Sequence, residues 1–142
     1  MVQKIKKILV PLDGSKYSFK ALDMAITLAK EFGASIVGLC AIPLEPPIYM
    51  PGMPSHYKKR ITEGAKKFLE EAKKISEQNQ VEFKYYIAYE NPTKYVAEFA
   101  NNREFDLIVV GSHGHGAVRE LLLGSVAHST IHRAKIPVLV IK

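Results

Sequence analysis

Disulfides, membrane spans and targeting segments find little support in this sequence. Its 142 residues include one cysteine, Cys40, and no tryptophan. One cysteine cannot form a disulfide within the chain, and the apolar run around Cys40 predicts a buried thiol. No segment approaches the ~18 consecutive apolar residues of a membrane helix, and the N-terminus lacks the apolar stretch of a signal peptide. We therefore expect a cytoplasmic protein that does not enter membranes.

Two common glycine motifs for nucleotides are missing as well. A Walker A loop has a lysine between its last glycine and the serine or threonine, but Gly124 is followed directly by Ser125. A dinucleotide fingerprint reads Gly-x-Gly-x-x-Gly, whereas Gly114 and Gly116 are followed by Arg119 at the place of the third glycine. These absences argue against a P-loop hydrolase and against nicotinamide or FAD binding in that mode.

The formal net charge of +6 favours an anionic partner only if the basic residues form a surface of their own. Many lysines lie on one predicted helix, Tyr57–Glu77, where glutamates are interleaved with them. Glu63 precedes Lys67, and Glu70 precedes Lys74, by four residues, which is the favourable order for ion pairs worth about 0.2–0.5 kcal/mol each. This pattern therefore favours a solvated, salt-bridged face over a nucleic-acid-binding one.

Apolar runs alternate with helical patterns along residues 1–142, and this length with 47% hydrophobic residues fits a single domain. The predicted strands are Ile5–Val10, Ser35–Ala41, Val81–Ala88, Leu107–Val110 and Ile136–Ile141. The predicted helices are Lys16–Glu31, Tyr57–Glu77, one that starts at Asn91-Pro92, and Val126–Arg133. Strict alternation makes the third strand an edge strand. The pattern predicts an α/β fold with a doubly wound, mostly parallel five-stranded sheet, strand order 3-2-1-4-5 and helices on both faces.

The segment 42–56 holds five of the eight prolines of the chain. Proline removes a backbone donor and fixes φ, so we expect neither a helix nor a central strand in this segment. It is predicted to be a crossover loop over the sheet, or else a lid that uses Tyr49, Met50 and Met53 to contact a ligand or partner.

A glycine-rich stretch with the spacing Gly111-x2-Gly114-x9-Gly124-Ser125 follows the fourth strand. Glycine directly after a parallel strand permits positive φ and a close approach to a ligand. Gly124-Ser125 opens the last helix, where free N–H groups and a hydroxyl suit a phosphate oxygen. Strands one and four flank the switch point of the sheet, so Pro11-Leu12-Asp13 should face residues 111–116 across one crevice. We predict a nucleotide or another phosphate ligand there, held mainly by backbone.

Four histidines raise the alternative of a metal site. His113 and His115 lie in the glycine-rich stretch, whereas His128 and His132 stand one turn apart on the last predicted helix. A pair at this spacing can place two imidazoles on one zinc ion. No carboxylate or cysteine clusters with them in the sequence, so we predict no dedicated metal site. A second interpretation keeps His113 and His115 near phosphates, as donors when protonated.

The residues of four segments resemble a known family. These segments are Ile8–Ser15, Asp106–Gly114, and Gly124-Ser-Val-Ala together with Pro137-Val-Leu-Val. With the complete glycine spacing, the chain is similar to the ATP-binding members of the universal stress protein family. This resemblance covers essentially the whole chain.

The resemblance implies a five-stranded homodimer, often paired through the last strand, here Pro137–Ile141. It implies ATP as the ligand, with Mg²⁺ or Mn²⁺ on the phosphates. Pro11, Leu12 and Asp13 would lie along the nucleoside, and Ala41 would offer backbone to the adenine. The residues expected by the ribose and the phosphates are Gly111, His113, Gly114, Gly124, Ser125 and Val126.

Three functions remain open from the sequence. The first is a binding and signalling module, a dimer whose partner affinity changes with nucleotide state in a stress response. The second is an enzyme, a slow ATPase or nucleotide-dependent phosphotransferase, for which His113, His115 and Arg119 are the only candidates in the stretch and none has a visible partner. The third is a nucleic-acid binder driven by the positive charge. The backbone cradle without an obvious catalyst favours the first.

Overall fold

Five parallel strands form one sheet in the order β3-β2-β1-β4-β5. The computed structural model describes residues 2–43, 54–115 and 122–142. The strands are β1 (Lys7–Pro11), β2 (Ser35–Ala41), β3 (Phe83–Ala88), β4 (Leu107–Gly111) and β5 (Val138–Ile141). The helices of the described ranges are α1 (Lys16–Phe32), α2 (Pro54–Gln78), α3 (Pro92–Asn102) and α4 (Ser125–Arg133). The predicted doubly wound sheet and its strand order are confirmed.

The side chains of β1 divide the core into two layers. Ile8 and Val10 are fully buried on the face that α1 and α2 cover. Leu9 is fully buried on the opposite face, which α3 and α4 cover. Successive side chains of a strand point to opposite faces, so a central strand needs apolar residues at every position. This requirement explains why β1 and β4 read as continuous apolar runs.

Capping residues fix both ends of α1 and the start of α3. The Ser15 side chain accepts a hydrogen bond from Ser18 N, and Gly33 adopts the left-handed conformation with φ 68°. Asn91 caps α3 through Thr93 N, with Pro92 in the first turn. In the described part of the chain, no helix is long and apolar enough to cross a membrane.

Several predicted boundaries are corrected by the structure. Helix α2 starts at Pro54, inside the segment 42–56 that was expected to exclude a helix, because proline is tolerated in a first helical turn. Strand β3 starts at Phe83 rather than Val81, and β5 starts at Val138 rather than Ile136. Residues 44–53 of the proline-rich segment, including the proposed lid residues, lie outside the described ranges.

The predicted ion pairs on α2 do not form. In the described ranges, the only ion pair is Lys73 Nζ to Glu77 Oε1 at 4.0 Å, between side chains that are 44% and 57% exposed. Glu70 does not pair with Lys74. Burial raises the pKa of Tyr85 on β3, and the nearby negative charge of Glu70 raises it further. Exposed pairs gain little in water and lose side-chain entropy, so the face is solvated and carries one ion pair in place of the predicted set.

We expect Gly38→Ala to destabilise the fold, because an added Cβ would lie 2.7 Å from Phe83 Cζ and 3.1 Å from Leu12 Cδ1. Both side chains are buried in the core, and overpacking of this kind costs about 1–3 kcal/mol. The urea midpoint of unfolding should fall at an unchanged slope.

Gly64→Ala is the matched control, since Gly64 lies in α2 and nothing stands within 4 Å of its added Cβ. There the substitution should stabilise the protein by about 0.5–1 kcal/mol through helix propensity. Equal shifts in both variants would contradict the packing of β2 against β3 and Leu12 described above.

Candidate functional site

A cavity of about 490 Å³ opens at the carboxyl ends of the central strands. All ten residues named as candidates from the sequence line it: Pro11, Leu12, Asp13, Ala41, Gly111, His113, Gly114, Gly124, Ser125 and Val126. They come from the ends of β1, β2 and β4 and from the start of α4. The crevice expected between β1 and β4 therefore exists and extends to α4.

One side of this cavity is apolar. The lining residues that sequence reasoning had not named are mostly hydrophobic: Leu39, Pro43, Pro92, Val96, Val110 and Ala127. They belong to the ends of β2 and β4, to the first turns of α3 and α4, and to the chain after β2. No site motif marks Leu39, Val96, Val110 and Ala127, because each also reads as an ordinary core residue of its strand or helix, whereas Pro43 and Pro92 read as a loop residue and a helix-start residue. Such a wall suits the flat face of a ring.

The glycines of the cavity are required for close approach and not for unusual dihedral angles. Among the described glycines only Gly14 and Gly33 have positive φ, so the expectation of positive φ in the glycine-rich stretch is wrong for Gly111, Gly114 and Gly124. A Cβ on Gly111 would lie 2.7 Å from the backbone oxygen of Tyr17. Any side chain there would push β4 away from α1.

Gly124 packs equally closely against the end of β4. A Cβ on it would lie 3.0 Å from the Ser112 carbonyl oxygen and 3.1 Å from His113 Cα. Its N–H donates to that Ser112 oxygen at 2.7 Å, and Ser112 N donates to Ile141 O at 2.8 Å. Ser112, which was not among the predicted site residues, therefore joins β4, β5 and the start of α4.

Helix α4 begins in the cavity without a side-chain cap. Its N-cap residue is Gly124, which offers no side-chain acceptor, whereas α1 and α3 are capped by Ser15 and Asn91. The first N–H groups of a helix have no partner within the helix, and they carry the positive end of its dipole. Ser125 adds an exposed hydroxyl beside them. This terminus can therefore bind an anion through backbone and hydroxyl.

Asp13 connects the two loops that face each other across the crevice. Its Oδ1 accepts a hydrogen bond from Ser15 N at 2.9 Å, and its Oδ2 accepts one from His115 N at 3.3 Å. His115 Nε2 also lies 2.7 Å from Asp13 O. His115 thus has a partner, contrary to the sequence-based expectation, and it closes the polar side of the cavity.

His113 is held from two sides. Its Nδ1 lies 2.8 Å from Ser112 Oγ, and its ring centroid lies 5.0 Å from that of Tyr17. Its Nε2 is buried and has no hydrogen-bond partner. In the described ranges, no carboxylate is hydrogen-bonded to this imidazole. Asp13 contacts His115 instead. The pair of Ser112 and His113 therefore lacks the third group that orients the base in a hydrolytic triad.

The fold and the cavity together define a doubly wound α/β domain with a cavity at its switch point, into which an uncapped helix N-terminus opens. Comparison with known proteins gives the family. The model of the universal stress protein family matches residues 4–142, and the chain belongs to this family. A universal stress protein of Methanocaldococcus jannaschii is 34% identical over 139 residues, which are 96% of this chain and 82% of that protein.

Solved structures agree with this assignment. A Methanocaldococcus jannaschii protein whose biochemical function was assigned from its structure superposes with a TM-score of 0.88 at 30% identity, over 99% of this chain and 97% of that one. A universal stress protein in complex with cAMP superposes with a TM-score of 0.70 at 26% identity, over 98% of both chains.

Cys40 lies in β2 next to Ala41 of the cavity and is buried. Burial, and to a smaller extent the charge of Asp13, raise the pKa of its thiol from 9.0 to about 12. The folded state therefore holds the proton that the unfolded state releases above about pH 9. The contribution of the protonated thiol to the free energy of unfolding is therefore complete below about pH 9, and it is lost as the pH rises toward about 12.

We expect Cys40 to be inert in the folded protein, since the thiolate is the reactive form. At pH 8, a disulfide reagent such as Ellman's reagent should modify native protein at least ~100-fold more slowly than protein unfolded in urea. Cys40→Ala gives the reagent blank. Similar rates in the folded and unfolded protein would contradict the burial of this thiol.

Proposed function

We propose that this protein is an ATP-binding member of its family that acts as a nucleotide-dependent regulatory module in a stress response. The observation that carries the proposal is the uncapped N-terminus of α4, which opens into the cavity through Gly124 and Ser125. Free N–H groups at the positive end of a helix favour phosphate. The phosphate chain would bind there, at the backbone of Gly124, Ser125 and Val126.

The nucleoside would occupy the apolar side. Pro11, Leu12 and Asp13 would lie along it, and the backbone at Ala41 would meet the adenine, as the family resemblance implies. The cavity supports this arrangement, because the apolar lining and the polar loops belong to one volume of about 490 Å³, which is in the range of small-molecule sites. The complex of a 26% identical family member with cAMP supports an adenine nucleotide as the class of ligand.

A divalent cation would accompany the phosphates. Asp13 is the one carboxylate among the described lining residues, and Mg²⁺ commonly binds through one or two carboxylates together with substrate phosphates. The residues therefore fit Mg²⁺ or Mn²⁺ held jointly by the nucleotide and Asp13. The ion would neutralise phosphate charge that otherwise faces the Asp13 carboxylate.

A slow ATPase or phosphotransferase is the second candidate, and the unpartnered Nε2 of His113 is the observation that favours it. A base must lie within hydrogen-bond reach of the water or hydroxyl that it activates. Because Nε2 is buried and no carboxylate in the described part of the chain is bonded to the ring, binding remains the better supported function. ATP turnover above the buffer rate that His113→Ala abolishes would favour the enzyme.

A homodimer through the last strand is part of the same proposal. Strand β5 forms an edge of the sheet, so one row of its backbone groups is free of strand partners in the described chain. Leu139 on this strand is 37% exposed, and Ile131 on α4 is 44% exposed. An apolar edge strand of this kind favours pairing with a second copy.

We expect Gly124→Asp to weaken ATP binding at least tenfold, about 1.4 kcal/mol, because a carboxylate at the helix start would repel phosphate and occupy the free N–H groups. Calorimetric titration with ATP in the presence of Mg²⁺ measures the change. Gly64→Asp is the control, since it makes the same charge change at an exposed position of α2. Retained affinity in Gly124→Asp, with the control also unchanged, would remove α4 from the site.

We expect light scattering to give twice the chain mass of 15.9 kDa, and Leu139→Lys to shift the particle toward one chain, since it places a charge on the β5 edge. Tyr86→Lys is the control, because Tyr86 lies on the opposite edge strand and is 52% exposed. A particle of one chain mass at every concentration of the unsubstituted protein would rule out the dimer.

A further inference from the structure

Two histidines on α4 stand apart from the cavity and form a contact of their own. His128 and His132 are both exposed, and they follow each other by one helical turn. Their ring centroids lie 4.6 Å apart, and the ring planes enclose 60°. Neither residue lines the cavity, and neither belongs to the hydrophobic core, so neither packing nor the proposed nucleotide site accounts for them.

The distance between these rings matches what one bound metal ion requires. Imidazole nitrogens bind zinc at about 2.0–2.1 Å, which puts each ring centre about 3.2 Å from the ion. For bond angles of about 90–110° at the ion, two such ring centres lie about 4.5–5.3 Å apart. The observed 4.6 Å falls within this interval, so the spacing of the two rings fits a shared ion.

Two opposing electrostatic effects act on a cation at the position of this pair. His132 lies in the last turn of α4, where the helix dipole is negative. Arg133 and Lys135 follow directly in the sequence, and their charges oppose this effect. Binding must therefore rest on nitrogen coordination, for which transition metals such as Cu²⁺ and Zn²⁺ are better suited than the oxygen-preferring Mg²⁺ and Ca²⁺.

We propose that His128 and His132 chelate one transition-metal ion of the Cu²⁺, Ni²⁺ or Zn²⁺ class on the surface of α4. Within the described ranges no group of three or more histidine, cysteine or acidic side chains could hold a metal ion. The pair is thus a two-ligand site whose remaining coordination positions are taken by water. By the general order of affinities, Cu²⁺ binds more tightly than Ni²⁺ or Zn²⁺.

The ion would act on a helix that borders the cavity. Ser125, Val126 and Ala127 of α4 line the cavity, and α4 has only nine residues, a length that is marginal without tertiary support. A chelated ion links two successive turns of this helix. It therefore stabilises the helical form of the segment that carries the uncapped N-terminus.

The test is a titration of the full chain with Cu²⁺ in a buffer without chelators and without nucleotide. We expect one ion per chain by calorimetry and two nitrogen ligands by electron paramagnetic resonance. His128→Gln and His132→Gln should each weaken binding at least about tenfold, because two ligands on one helix raise the effective concentration of each other. Both positions are exposed, so the urea midpoint without metal should not change.

His56→Gln is the matched control, since His56 is also an exposed histidine on a helix, α2, and this variant should bind Cu²⁺ like the unsubstituted protein. His115→Gln separates the cavity histidines from the pair and should also leave Cu²⁺ binding unchanged. Cu²⁺ binding that survives both α4 substitutions, or that His115→Gln abolishes, would overturn the site, as would the absence of saturable binding. Because no nucleotide is present, failure here leaves the ATP titration as an independent result.

Discussion

The parallel pairing of β1 with β4 is the constraint on which the rest of the molecule depends. Ile8 lies opposite Leu107, and Leu9 lies opposite Ile108, although about a hundred residues separate the partners. Because the chain leaves this pair toward opposite sides of the sheet, the loops after β1 and β4 diverge and leave a gap between them. Hydrogen bonds between Asp13 and His115 bridge that gap. The start of α4 lines the same cavity.

The sequence was sufficient for most of the fold for identifiable physical reasons. Strands β1, β2 and β4 are buried on both faces, so their apolar runs have no competing interpretation, and the predicted β2 matches Ser35–Ala41. Caps such as Ser15 and Gly33 fixed helix ends locally. The errors fall where the local sequence is ambiguous. Pro54 can end a loop or begin a helix. Ile136 belongs to the apolar run that predicts the last strand, but the strand itself begins at Val138.

The candidate site was predicted in its backbone parts and less well in its side chains. Glycine spacing and strand order bring Gly111, Gly124 and Asp13 together, because both depend on topology. The apolar wall carried no signal, since a residue such as Val96 looks like any core residue. The contact between His115 and Asp13 spans 102 positions, and no spacing rule relates residues that meet only after the sheet has formed. The reason given for the glycines is corrected by the structure, because neighbouring backbone and not positive φ excludes a side chain at Gly111 and Gly124.

Ser112 connects the start of α4, which lines the cavity, with the edge strand β5. Its carbonyl receives the Gly124 N–H at the start of α4, and its own N–H donates to Ile141 at the end of β5. One residue thus connects the helix terminus that opens into the cavity with the outermost strand of the sheet. The start of α4 cannot move away from the end of β4 without breaking its bond to Ser112, and Ser112 is held in turn by the last residue of β5. The geometry at this side of the cavity therefore depends on the outermost strand of the sheet.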